Sequence, residues 1–300
     1  MNYAQLLFPD FSLIVCGYLI CRYTALNRTV WEQVDSLVYY FLFPVLLFYS
    51  IVRSPLDVRA ASSLIAAAWA MIICGIFITY AIAKLPGVHA RDHASTAQVG
   101  FRFNTFIALA MAERLAGREG VLLIAIVIGV TVPLCNLGAI WPMAKHSEVG
   151  FGKTLLRNPL ILATAGGLVA NLLGFSVPVW AQDSVTRIGQ AALALGLMAA
   201  GAGLQLGRVF DSTSKRIVGT GVLAVRHLAM PLVAWCMVRA FGLSPVQATV
   251  LLAYSALPTA SSCYVLAARM GYEGGFVSGL VTLSTLLGLV SLPFALEFLR

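Results

Sequence analysis

Residues 247–268 read QATVLLAYSALPTASSCYVLAA. The run carries no Asp, Glu, Lys or Arg, and it has the roughly 20 residues a helix needs to cross a bilayer core. Its centre does not suit an uninterrupted helix. Tyr254-Ser255-Ala256-Leu257-Pro258-Thr259-Ala260-Ser261-Ser262 gathers hydroxyls around a proline, which removes a backbone donor and crowds the preceding turn. Backbone freed in this way is tolerated at membrane depth only against protein or a water-filled cavity. The stretch therefore predicts a polytopic helical membrane protein in which a spanning helix breaks near its middle. A simple proline kink is the plainer alternative.

The rest of the chain agrees with a lipid setting. Apolar residues make up 60% of it and charged residues 11%, against about 25% charged in a soluble domain. A soluble chain of this size could not hide so much apolar surface. The apolar runs are rich in Leu, Ala, Gly and Val and lack the period-2 alternation of a membrane β-barrel. The net charge of +8 comes from Lys and Arg in short gaps between apolar runs, which suits topology determinants and lipid headgroups rather than nucleic acid. The six cysteines lie in or beside apolar runs without CxxC spacing, so neither a metal cluster nor a disulfide framework is expected. The first run starts at Tyr3 with no basic segment before it and reads as a retained helix.

Ten spans are predicted near 4–22, 35–52, 62–83, 97–113, 121–143, 158–175, 184–206, 217–240, 247–268 and 275–298. Eleven Lys and Arg follow odd spans and seven follow even ones, which puts the odd loops in the cytoplasm and both termini outside. A basic linker, 146–157, separates a first five-helix unit, 1–145, from a second, 158–300. An odd number of spans per unit forces the second unit to run inverted, the parity of inverted-repeat transporters. At an offset of 150, Pro9 pairs with Pro159 and Gly17 with Gly167. Any ten-span chain divides five and five, however, so parity alone leaves other membrane proteins open.

Inverted-repeat carriers bind substrate near mid-membrane, where equivalent helices of the two repeats break. Span four offers Gly100-Phe101-Arg102-Phe103-Asn104-Thr105 opposite the cluster around Pro258 and Thr259 in span nine, and the same offset carries Asn104 to Tyr254. Asn104 can cap a broken end or hold a ligand, or it can bond a neighbouring helix. Asn136, after Pro133 in span five, is a mid-span polar residue of the kind that faces a bundle interior. Arg102 can form a bidentate pair with a carboxylate or snorkel to headgroups. Arg226 and His227, mid-span in span eight, suggest snorkelling or an internal ion pair. Asp10 and Glu113 are candidate proton carriers, with an interfacial position as the plainer reading. Gly166-Gly167 and Gly201-Ala202-Gly203 are small-residue surfaces for close helix packing. P-loop, GxSxG and HExxH patterns are absent, which argues against an ATPase, a hydrolase or a zinc protease.

Several short pieces occur in a characteristic order. They are Phe43-Pro44-Val45-Leu46-Leu47-Phe48, Arg102-Phe103-Asn104-Thr105, Pro133-x-x-Asn136, Arg157-Asn158-Pro159-Leu160, Gly201-Ala202-Gly203-Leu204, Ala256-Leu257-Pro258-Thr259-Ala260 and Ser284-Thr285-Leu286. With them the chain resembles, over essentially its full length, the auxin efflux carrier family, whose bacterial members include malonate and other organic-acid permeases. The resemblance implies ten transmembrane helices as two inverted five-helix repeats, with broken helices in spans four and nine crossing at the substrate. It also implies an elevator-like carrier, with spans one, two, six and seven as scaffold and the others as the moving part. Asn104, Asn136 and Pro258 match site-lining positions, and Arg102, Thr105 and Thr259 stand beside them. Where the family often has proline six residues after the span-four asparagine, this chain has Ala110.

The function expected is secondary transport of a small organic carboxylate across a bacterial inner membrane, without enzymatic activity, cofactor or metal. The expected partners are that anion, a coupling proton or sodium ion, membrane lipid and a second copy of the chain, but no nucleic acid. A carrier like the bile-acid/sodium symporters, with a sodium site, is the alternative nearest in kind. A membrane-embedded enzyme or sensor is the alternative of another class.

Overall fold

The computed structural model describes residues 3–53, 62–144, 159–203, 209–260 and 262–298. The expected linker, 146–157, lies outside them, as do the side chains of Asp10 and Glu113. The described residues are helical with short connections and contain no strand. This follows from the sequence, since a chain in lipid must satisfy its amides locally.

Helix α1 is Tyr3–Tyr23. Helix α2, Arg28–Leu37, is started by Asn27, whose side chain accepts from the amides of Thr29 and Val30. It continues through a π turn, Val38–Leu42, into α3, Phe43–Val52. Helix α4 is Ser62–Ala81, tightened into a 3₁₀ turn at Ile82–Lys84. Then come α5, Ala90–Thr96, with a 3₁₀ turn at Ala97–Gly100, and α6, Thr105–Ala144, which leaves helical geometry at Ala116 and Gly117. Gly117 has φ 56°, a conformation open to glycine, so the long helix bends there. Helices α7, Pro159–Leu172, and α8, Val179–Ala202, follow. Helix α9, Thr213–Ala224, runs through a π turn, Val225–Ala229, into α10, Met230–Ala240. The last helices are α11, Pro245–Ala256, α12, Ser262–Arg269, and α13, Gly274–Phe298.

Among the described residues, three helical stretches are long and apolar enough to cross a membrane: Ser62–Lys84, Ile126–Ala144 and Thr213–Ala240. A bent pair, Gly274–Gly288 and Val290–Glu297, makes a fourth if counted as one span. The segment expected as span four departs most from its predicted bounds. Helix begins at Ala90 rather than near 97, and it is interrupted at residues 101–104. Residues 91–93 read as loop because they are polar. In the fold their side chains are paired: Arg91 Nη2 with the Gly271 carbonyl (3.1 Å), Asp92 Oδ2 with Ser214 Oγ (2.6 Å) and His93 Nε2 with the Thr79 carbonyl (2.9 Å).

The apolar interior falls into two parts. One large core joins α4, α5, α6 and α9 through α13, from Leu64 to Leu296. Separate small clusters join α1, α2, α3 and α8, such as Ile14 with Leu197 and Trp31 with Ala199 and Ala202. Helix α7 packs on α3. The second group is held by very close helix approaches. A Cβ on Gly17 would sit 1.8 Å from the Met198 carbonyl oxygen, and one on Gly201 1.8 Å from that of Ile14. A Cβ on Gly167 would meet the Phe48 carbonyl and Ile51 at 3.2 Å. The α1–α8 and α7–α3 contacts thus use positions 17, 198 and 201 on one side and 167, 48 and 51 on the other, related throughout by 150 residues.

Candidate functional site

The helix breaks at 101–104 and 257–260 meet. The Asn104 amide donates to the Pro258 carbonyl at 2.9 Å, so a backbone bond joins two interrupted helices from opposite halves of the chain. Asn104 Oδ1 also accepts from the Ile107 amide (3.2 Å), which caps the start of α6. The Phe103 and Tyr254 rings pack beside this bond, with centroids 4.1 Å apart. Tyr254 OH and Thr131 Oγ1 lie 2.7 Å apart. Because the Thr131 hydroxyl already donates to the Val127 carbonyl (2.6 Å), the tyrosine is the donor. Gly288 makes room for Pro258, since a Cβ there would fall 2.5 Å from the proline ring.

Next to the crossing is a cleft of about 400 Å³, counted to its open mouth. Arg102, Thr105, Asn136 and Ser262 give it a polar side, and Phe43, Phe103, Val132, Cys135 and Ala260 an apolar one. Phe43 belongs to α3 and the other lining residues to the large core group or its breaks, so the cleft lies at the joint between the two parts.

Arg102 governs its chemistry. The residue is 6% exposed, which removes the snorkelling reading. Nη1 donates to Gln98 Oε1 (2.8 Å), and Nη2 to Ser262 Oγ (3.1 Å) and Asn136 Oδ1 (3.3 Å). All three partners are neutral, and no carboxylate pairs with Arg102 among the described residues. Asn136 is 2% exposed, and its Nδ2 has no partner among the described residues. A buried cation without a counter-ion and a buried amide donor without an acceptor therefore stand side by side. Both lack what a carboxylate supplies.

Of the residues singled out in the sequence, Arg102, Thr105 and Asn136 line the cleft, and Asn104 and Pro258 form the crossing behind it. Thr259 turns away. Its amide donates to Ser284 Oγ on α13 (2.9 Å), and its hydroxyl lies 3.6 Å from Cys263 Sγ. Ala260 and Ser262 take the place in the cleft expected for Thr259.

Arg226 is the largest correction. It neither snorkels nor pairs with an acid among the described residues. It is fully buried, and it donates from Nε to the Leu257 carbonyl (2.7 Å) and from Nη2 to those of Ser255 (2.7 Å) and Tyr254 (3.1 Å). These carbonyls are the ones α11 leaves open where it stops. A charged residue at mid-span is the sequence signal for this role, but its partners lie 28 to 31 residues away along the chain. Gln98 and Ser262 also belong to the site without being expected there, although polar residues flanking the two breaks carry the same kind of signal.

Residues 141–296 match the family model described as membrane transport protein. The chain is also similar to the protein named "Putative malonate transporter" from Rhizobium meliloti (strain 1021). The two are 25% identical over 315 residues, covering 98% of this chain and 95% of that one.

Proposed function

The chain belongs to the membrane transport protein family, that of the auxin efflux carriers, and from that premise we propose that it carries a small organic carboxylate through an elevator movement. It is an integral membrane transport protein and not an enzyme. The observation that carries the substrate class is the buried Arg102 guanidinium, held by neutral groups beside the unpartnered Asn136 Nδ2. A carboxylate entering the cleft would take over the Ser262 and Asn136 bonds of Arg102 and accept from Asn136 Nδ2. Helices α6 and α12 begin at the cleft wall, at Thr105 and Ser262, and their positive ends favour the same charge. The malonate named for the Rhizobium protein is a carboxylate of the size we propose.

We read the ten spans as α1, α2–α3, α4, α5 with the start of α6, the rest of α6, α7, α8, α9–α10, α11–α12 and α13. They form two inverted repeats, 1–145 and 158–300, joined by 146–157. The glycine contacts related by 150 residues support this reading. Helices α1, α2, α3, α7 and α8 form the frame, and the large core forms the moving body. Among the described residues, the polar contacts between the two include Tyr264 to Asp35 and to the Ala199 carbonyl, Arg269 to Ser36 and Tyr40, and Ser278 to the Gly203 carbonyl. In this reading the chain sits in an inner membrane with both termini outside.

Purified protein in liposomes, offered labelled malonate and a panel of mono- and dicarboxylates under imposed potential, proton or sodium gradients, tests the function. Saturable flux of at least one carboxylate is expected. No saturable flux of any of them under any gradient would overturn the proposal.

A further inference from the structure

Broken helices in secondary carriers commonly expose carbonyls that a coupling cation completes. At the second break the carbonyls of residues 254–258 all have donors. Those of Tyr254, Ser255 and Leu257 accept from Arg226. That of Ala256 accepts from Ser291 Oγ at 3.2 Å. That of Pro258 accepts from the Asn104 amide. On the donor side, the Thr259 amide is taken by Ser284 Oγ.

His227, the next residue after Arg226, closes the set. Its Nδ1 lies 2.8 Å from Ser291 Oγ and its Nε2 2.8 Å from Ser284 Oγ. Ser291 has spent its proton on the Ala256 carbonyl, so it accepts from Nδ1–H. Nε2 is then an acceptor for the Ser284 proton, while the Ser284 oxygen still receives the Thr259 amide. Each donor in the series Thr259 amide, Ser284, His227 and Ser291 finds one acceptor when the imidazole is neutral, and a second ring proton would have no free acceptor among these groups; Arg226 Nη1 alone in this cluster has no partner among the described residues.

We propose that Arg226 is a tethered cation that fills the place of a coupling ion at the second break, so that this carrier takes no sodium ion there. The inference rests on the transport reading given above. Arg226 acts as a positioning residue: its guanidinium gathers three carbonyls and sets the direction of the chain at Pro258, whose carbonyl receives the first break.

The test uses detergent-purified full-length protein and reads melting temperature, with methylguanidinium, methylammonium and sodium as added cations against choline at equal ionic strength. Wild type is expected to melt at one temperature in all four. Arg226→Ala is expected to melt lower by roughly 5 °C or more, and millimolar methylguanidinium should restore much of that loss while methylammonium restores less. A general packing role would not respond to a planar cation. A higher melt of wild type in sodium overturns the proposal, as does an Arg226→Ala melt that equals wild type or is unmoved by methylguanidinium. Should Arg226→Ala not be recovered folded, Arg226→Lys replaces it. Its shorter point charge is expected to melt lower than wild type, with partial restoration by methylguanidinium and none by sodium. Restoration by sodium, or by neither cation, overturns the proposal. These readings need no flux, so they stand or fall separately from the liposome experiment.

Discussion

At the first break Arg102 meets side-chain oxygens, those of Gln98, Asn136 and Ser262, and borders a cleft. At the second break Arg226 meets backbone carbonyls of residues 254, 255 and 257 and is fully buried. One backbone hydrogen bond, Asn104 to Pro258, links the two breaks that these guanidiniums serve, yet their surroundings give them different work. Carbonyls at a helix end cannot leave, and of these three only that of Tyr254 has a second donor among the described residues, the Leu257 amide at 3.4 Å, so the arginine that serves them is part of the fold. A hydroxyl and an amide oxygen can yield to a carboxylate, so the arginine that leans on them can receive a ligand. In the proposed function the kind of acceptor, more than burial, separates a structural cation from a binding one.

Substitution can break this contrast, and the expected effects fall in order. Arg226→Ala should be the most damaging, since it strips three carbonyls at about 1–3 kcal/mol each, and denaturant or SDS unfolding in detergent would measure the loss. Ser284→Ala orphans the Thr259 amide and removes the proton that His227 Nε2 accepts, so a loss of about 2 kcal/mol is expected in the same titration. Asn104→Ala gives up the α6 cap, about 1 kcal/mol. Its transport should nevertheless be abolished in liposomes while the protein stays folded and inserted, because the cap orients the wall of the cleft. Arg102→Gln should unfold within about 1 kcal/mol of wild type but lose carboxylate affinity by about tenfold or more, read by thermal shift or calorimetry. If Arg102→Gln proved as unstable as Arg226→Ala, the contrast between the two arginines would collapse. Asn136→Leu should be the mildest. It removes an unpartnered buried donor at little cost or a small gain in stability, and weakens substrate binding by several-fold.

Much of the crossing is legible in the amino-acid sequence. Asn104 and Pro258 mark the two breaks because a mid-span amide and a mid-span proline both signal freed backbone. The offset of 150 holds where frame helices touch, at Gly17 and Gly167, but it does not hold at the breaks, where residues 101–104 correspond to 257–260. The cause lies between them. The helical stretch Thr213–Ala240 has 28 residues against 23 in Ser62–Lys84, and it contains the π turn, so the second half falls out of step before it reaches its break. The missing proline at Ala110 does not prevent the first helix from breaking. The break falls before Thr105 and is capped by Asn104. Arg226 and Thr259 escape a sequence reading for a common reason. Their partners come from α11 and α13 through contacts that local spacing does not encode, and mid-span charge alone cannot distinguish a ligand, a lipid phosphate and a helix end.

The bond from the Asn104 amide to the Pro258 carbonyl also sets a schedule. Its acceptor is synthesised about 150 residues after its donor, roughly 8–30 s later at ordinary ribosome speeds. Through that interval the first half of the chain is in or near the membrane with an amide that its own sequence does not satisfy. Water, or a helper at the insertion site, must keep that amide solvated until the last third of the chain arrives. A chain cut short before Pro258 therefore cannot finish its first crossing, however complete its first five helices are.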